Sequence, residues 1–293
     1  MKKALPWLSL AVLIGGLSAS CILMDNPEGE PGWRTIPDRE SKERPATAAT
    51  GTEFRDSVDF EPGGTLSLEN DYGDVRITGW DRDSVRVVAK TAAVESERLR
   101  SARESRVRDV TPRVEIRERA DGLLVRTPTF EGTGDPPEVS YDLQVPSSID
   151  LTGIRISEGN LSISDVFGRL EASVDKGDLS VENFSGSLQA TVGTGDADVE
   201  VLDLREGDEI TISTRRGDIV LRLEQGVGAI IEADAPRGEV LSDFDLGKRL
   251  PASTVKGWIG QGGPSIILRA SDGRIEIVRT RGNAGPGPTT THK

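Results

Sequence analysis

The sequence predicts an all-β solenoid, and three observations carry the prediction. A Gly followed by alternating apolar residues returns at Gly159, Gly177, Gly195, Gly217 and Gly238, in steps of 18, 18, 22 and 21 residues. A second Gly register lies between them at Gly168, Gly186, Gly207 and Gly228, in steps of 18, 21 and 21. Composition agrees: aromatic residues are only 4% of the chain, while Gly numbers 33. Short aliphatic strands joined by Gly turns give that balance, and two Gly-marked strands per repeat of about 20 residues mark a stacked β array rather than a mixed α/β enzyme.

The elements follow in order. Lys2 and Lys3 precede an apolar run from Ala4 to Leu17 and the small residues Ser18, Ala19 and Ser20. Residues 1–20 therefore read as a secretory signal, too short for a comfortable membrane span. Residues 22–50 are rich in Pro, Gly and charge and lack apolar periodicity, as expected of a disordered tether. Residues 51–281 are expected to form the folded domain, and 282–293 a disordered tail. Within the domain, Val58, Leu66, Leu68, Val75, Ile77, Val85 and Val87 alternate with polar neighbours and predict strands. Ala92–Arg108 contains helix formers without Gly or Pro and predicts a short helical insertion. Strands resume at Val114, Leu123 and Val139–Val145, and the solenoid proper is expected from Ile149. There Leu161, Ile163, Leu170, Val174, Leu179, Val181, Leu188, Val192, Val199, Ile210, Ile212, Ile219 and Leu221 face inward. Ser162, Ser173, Gln189, Thr191, Glu200, Thr211 and Ser213 face outward. The stretch from Leu241 to Gly263 reads as a long loop, and Ile266–Leu268 with Ile275 and Ile277 as closing strands.

Formal net charge is −13, or −15 once Lys2 and Lys3 are set aside. An acidic ectodomain argues against nucleic acid as a partner. The single Cys, Cys21, leaves no disulfide to hold the fold. The single His, His292, is the penultimate residue of the sequence, so His-based triads are excluded, and neither a phosphate loop nor a zinc ligand set occurs. No cofactor and no enzymatic activity are expected.

Two resemblances sharpen this reading. Leu17-Ser-Ala-Ser-Cys21 resembles the lipobox of bacterial lipoproteins, with Ser18 where Leu is more usual. It implies a lipidated Cys21 and stable anchoring through several acyl chains. Ile22, rather than Asp, after the Cys points to the outer membrane in such lipoproteins. The string FEPGGTLSLENDYGDVRITGWDRDSVRVVAKT, the Val145-Pro146 pair and VDKGDLSVENFSGSLQATVGTGDADVEV resemble the DUF4097 family of bacterial adhesin-type proteins with β-strand repeats, over residues 54–280. The resemblance implies an envelope-exposed, right-handed, single-stranded β-helix-like fold with no catalytic signature. The Ala92–Arg108 stretch departs from it.

Candidate chemistry is sparse. The pairs Gly73-Asp74, Gly177-Asp178, Gly195-Asp196 and Gly217-Asp218 could form a cation ladder, but turn chemistry explains them: Gly takes positive φ and Asp bonds the local backbone. Asp198 and Glu200, with Glu182 one repeat earlier, could act as an acid–base pair on a polysaccharide, although outward carboxylates on an acidic face are ordinary. Among the aromatics, Trp258 in the Gly-rich stretch KGWIGQGG and Trp80 at a strand corner are the candidate ligand-binding residues, with Tyr72 and Phe184 behind them. End-capping is the alternative role for the Trp258 stretch. The expected partners are a membrane, through the anchor, and a glycan or another envelope protein. The expected function is adhesin-type binding, with an envelope accessory as the alternative.

Overall fold

The computed structural model describes residues 53–91, 113–119, 122–128, 136–246 and 253–280. The signal, Cys21, the tether, the Ala92–Arg108 stretch and the tail lie outside the described residues.

The described chain is all β, with twenty strands in two ten-stranded sheets. The first seven strands are β1 (Glu53–Asp59), β2 (Thr65–Tyr72), β3 (Val75–Trp80), β4 (Ser84–Thr91), β5 (Glu115–Arg119), β6 (Gly122–Arg126) and β7 (Val139–Pro146). The repeat region supplies β8 (Asp150–Glu158), β9 (Leu161–Ser164), β10 (Leu170–Lys176), β11 (Leu179–Ser185), β12 (Leu188–Thr194), β13 (Ala197–Asp203), β14 (Glu209–Arg216) and β15 (Ile219–Glu224). The last five are β16 (Ala229–Asp234), β17 (Val240–Ser242), β18 (Thr254–Ile259), β19 (Ser265–Ala270) and β20 (Ile275–Thr280).

From β7 to β18, consecutive strands alternate between the sheets. One sheet runs β18-β16-β19-β14-β12-β10-β8-β2-β6-β5, the other β1-β4-β7-β3-β9-β11-β13-β15-β20-β17. Each pair such as β10–β11 is therefore one rung, with one strand in each sheet. Neighbouring rungs pair in parallel, whereas β1, β4, β5 and β18 pair antiparallel at the ends. The right-handed, single-stranded β-helix-like coil that the family resemblance implies thus gives way to two mixed sheets. Spatial order also departs from chain order twice: β2–β3 lies between β6–β7 and β8–β9, and β19–β20 lies between β14–β15 and β16–β17. The parallel stack consequently includes rungs well before Ile149, and the expected closing strands sit inside the stack.

The period of two does what the sequence predicts. Leu66, Leu151, Leu170, Leu188, Ile210, Ile266 and Ile231 form one in-register inner row. Ile77, Ile163, Val181, Val199, Leu221 and Ile277 form another in the facing sheet. All thirteen are buried in one continuous core. Each such side chain contributes roughly 1.5–3 kcal/mol of transfer free energy, so the rows hold the sheets together without aromatic bulk.

The recurrent Gly has a second cause beyond its turn. Gly73, Gly159, Gly177, Gly195, Gly217, Gly273 and Gly238 stack in spatial order, and a methyl added to any of the last six would lie 1.9–2.2 Å from the carbonyl oxygen of its predecessor. No side chain fits between rungs there.

Candidate functional site

The outer face of the end of one sheet gathers the two most exposed large apolar side chains among the described residues. Trp258 in β18 stands 64% exposed and Ile230 in β16 55%. They are direct cross-strand partners, so both project from the same face. Next to them, Ser265 of β19 pairs with Ile230, and Glu232 of β16 lies between Lys256 of β18 and Ile267 of β19. Asp234 lies between Thr254 and Arg269 in the same way. The result is a three-by-three grid with the indole at one corner. Lys256 Nζ is 3.1 Å from Glu232, and the Thr254 hydroxyl donates to Asp234 at 2.8 Å. The charged groups of the grid balance, two of each sign.

The local sequence explains the placement. Val255, Gly257 and Ile259 point inward from β18, which sends Lys256 and Trp258 out. A side chain at Gly257 would collide with the Leu246 carbonyl, 1.9 Å from the added carbon. The stretch expected to be a loop thus contains a strand that ends its sheet, with Trp258 facing solvent. Ile230 escaped the sequence reading, although its phase announces it: Ala229 and Ile231 point inward, so the residue between must point out.

Trp80 belongs to a different place. It is half-buried, its indole N–H donates to the Ser84 carbonyl at 2.8 Å, and the Arg82 guanidinium lies 4.9 Å over its ring. Seven rung steps separate it from Trp258, or about 34 Å at about 4.8 Å per step. The two candidates do not form one site. Phe184, considered for stacking, is fully buried in the core, and Tyr72 is 38% exposed.

The Gly-Asp pairs make a ladder whose rungs are hydrogen bonds. Asp74 Oδ1 accepts from the Asn160 N–H at 2.8 Å, Asn160 Oδ1 from Asp178 N–H at 2.9 Å and Asp178 Oδ1 from Asp196 N–H at 2.9 Å. Asp196 Oδ1 accepts from Asp218 N–H at 2.8 Å, and Asp218 Oδ1 from Arg274 N–H at 2.7 Å. Each side chain serves the backbone of the next rung, not its own turn as expected. No group of three His, Cys, Asp or Glu residues arranged to hold a metal ion occurs among the described residues.

The acid–base candidates are also tied. Asp198 is ion-paired with Arg222, while Glu200 stands opposite Arg222 in the register. One polar network was missed altogether. Tyr141 OH and Thr127 Oγ1 are 2.6 Å apart, Thr127 Oγ1 donates to Asn70 Oδ1 at 3.1 Å, and Asn70 Nδ2 donates to the Gly73 and Val139 carbonyls at 3.0 and 2.9 Å. Its signal was present in Leu66, Leu68 and Asn70, which share the inward phase. Burial pushes the Tyr141 phenol up to about 12, against a smaller lowering by Thr127.

No family model matches the chain, and no curated protein sequence matches it. Among solved structures it is similar to a candidate cell adhesion protein from Clostridium sporogenes, with 14% identity, 78% of this chain and 100% of that chain covered, and a TM-score of 0.42. It is also similar to a candidate adhesin from Bacteroides fragilis, with 10% identity, 77% and 97% covered, and a TM-score of 0.31. Fold and site define an all-β, two-sheet protein that displays an aromatic platform on a terminal strand.

Proposed function

We propose that the protein is a non-enzymatic, lipid-anchored binding module of the bacterial envelope, of adhesin type, with the Trp258 platform as its contact surface. The observation that carries this reading is the exposure of Trp258 beside Ile230, its cross-strand partner, on one sheet face. Exposed apolar pairs of this kind cost solvation unless something covers them. An indole stacks on the C–H face of a sugar ring, and the surrounding Lys256, Glu232 and Ser265 offer donors and acceptors to its hydroxyls. Because the grid's charges balance, a neutral glycan suits it better than an ionic one. In this proposal Cys21 carries the lipid, residues 22–50 hold the domain off an outer membrane, and the winding is the right-handed one of the DUF4097 adhesins.

Retention of residues 51–281 on a broad glycan array tests the reading. Dose-dependent retention on a neutral glycan class, lost on Trp258→Ala and kept on Trp80→Phe, is the expected result. A flat array from folded protein would overturn the glycan reading. It would favour an envelope protein as partner, for which the Ile230–Trp258 pair is an equally apt anchor, and crosslinking in the native envelope would seek it.

A further inference from the structure

Chain order and spatial order disagree at the place that holds Trp258. β16–β17 follows β14–β15 in sequence but does not pair with it, because β19–β20 lies between them. Among the described strands, β16 pairs only with β18 and β19, and β17 only with β20. Contacts outside the ladders repeat the pattern. Arg237 Nε donates to the Ser271 carbonyl at 3.2 Å, and Glu239 lies 3.7 Å from Arg274. Asp243 Oδ2 accepts from the Arg279 N–H at 3.1 Å, and the Arg279 guanidinium lies 4.8 Å over the Phe244 ring. The connection from β18 into β19 is Gly260-Gln261-Gly262-Gly263-Pro264, in which Gly260, Gly262 and Gly263 take φ of +60°, +81° and +143°. This turn ties β19 to the unit, since Gly262 N–H donates to the Ile259 carbonyl at 3.1 Å and Ile230 N–H to the Pro264 carbonyl at 2.9 Å.

We infer that β19–β20 is a latch for the binding platform: β16–β18 and β19–β20 open together as one local unit, while β8–β15 stays closed. Strands held to the body through a single removable rung share its opening free energy. The Trp258 face, which includes Ser265, Ile267 and Arg269 of β19, therefore keeps its place on the body only while the β19–β20 rung is seated on β14–β15. A ligand laid across the platform tightens the latch by the factor by which the latch tightens the ligand. The functional meaning rests on Trp258 being the contact surface; the opening unit itself does not.

Hydrogen exchange of the full chain without ligand separates the two. Ile277 is buried in β20, in the sheet opposite Trp258. Ile277→Ala is expected to speed exchange of amides in 229–242 and 254–259 at least tenfold, with 170–203 unchanged. Ser213 and Arg269 are directly in register across β14 and β19, within reach of a disulfide. In a Cys21→Ser background, Ser213→Cys with Arg269→Cys is expected, once oxidised, to slow exchange of β16 and β18 at least tenfold, reversibly on reduction. Should Ile277→Ala prevent folding, the disulfide decides alone. Unchanged exchange in 229–259 on bridging, or acceleration of 170–203 equal to that of β16–β18, would overturn the latch. Failure of glycan retention would leave these results unaffected.

Discussion

Gly195→Ala should be among the costliest single-methyl changes in this chain, and the structure separates its two causes. Gly195 has φ of +137°, where an L side chain is strained by about 1–3 kcal/mol. The added carbon would also stand 2.1 Å from the Gly177 oxygen and 2.6 Å from its carbonyl carbon, both backbone atoms. The two rungs must then part by about an ångström, stretching bonds between them such as Gly177 N–H to the Thr194 carbonyl at 2.9 Å and Asp196 N–H to Asp178 at 2.9 Å. Two or three weakened bonds at about 1 kcal/mol each bring the expected loss to about 3–6 kcal/mol. Two other glycines isolate the terms. Gly207 has φ of +96° with nothing within 4 Å of an added carbon, so Gly207→Ala should cost only about 1–2 kcal/mol of strain. Gly226 also has open space and lacks a positive φ, so Gly226→Ala should fall between neutral and about 1 kcal/mol stabilising. Urea midpoints of the three variants measure the series. A Gly195→Ala loss no larger than that of Gly207→Ala would refute rung-to-rung stacking as the reason for the repeat.

Asp196→Ala leaves the Asp218 N–H without its acceptor and should cost about 1–2 kcal/mol, whereas Asp196→Asn keeps the acceptor and should stay within about 0.5 kcal/mol; equal losses in urea unfolding would show that charge, not the hydrogen bond, matters there. Trp258→Ala should shift the melting temperature little because the side chain is 64% exposed, while Trp80→Ala should lose about 2 kcal/mol or more with its hydrogen bond and packing; scanning calorimetry orders the two. Burial holds the Tyr141 phenol at about 12 against an ordinary 10.0. Folding therefore favours its protonated form, and the stability it contributes is whole below pH 10 and lost as pH rises towards 12, at most about 3 kcal/mol. Tyr141→Phe should cost about 1 kcal/mol at neutral pH yet show a shallower alkaline decline; parallel declines of the two proteins in urea unfolding between pH 9 and 12 would sink this account.

Much of the fold is legible because a period of two leaves little freedom. Once Leu170, Ala172 and Val174 are set inward, Glu171 and Ser173 must face out, and the burial of β10 follows that alternation. The Gly motif was legible as a repeat but not as a mechanism. A turn Asp that bonds its own backbone and one that bonds the next rung look identical in sequence, because only register tells them apart. Trp258 was visible as an exposed aromatic, yet its strand was hidden: Gly257 occupies an inward position, breaking the apolar alternation of Val255 and Ile259 exactly where the Leu246 carbonyl needs the room. Ile230 lay in a run, Ala229-Ile-Ile, whose phase is clear only after the strand is placed.

Spatial order was a further feature that periodicity could not supply. Rungs of equal period present equivalent inner rows, so Ile266 stacks on Ile210 as readily as Ile231 would. What distinguishes the arrangements is the edge each leaves. A stack finished by a regular parallel rung ends in two long rows of unpaired backbone groups, a template for further strands. Seating β19–β20 inside instead leaves β17, only three residues long, and antiparallel β18, with Lys256 and Gly257 in its centre, as the edges. At the other end, seating β2–β3 inside leaves β1 (EFRDSVD) and β5 (EIRER), both punctuated by charge. The two displaced rungs therefore solve the same problem at opposite ends. The cost is kinetic, since β14 must wait for β19, more than fifty residues later, before its outer edge is paired.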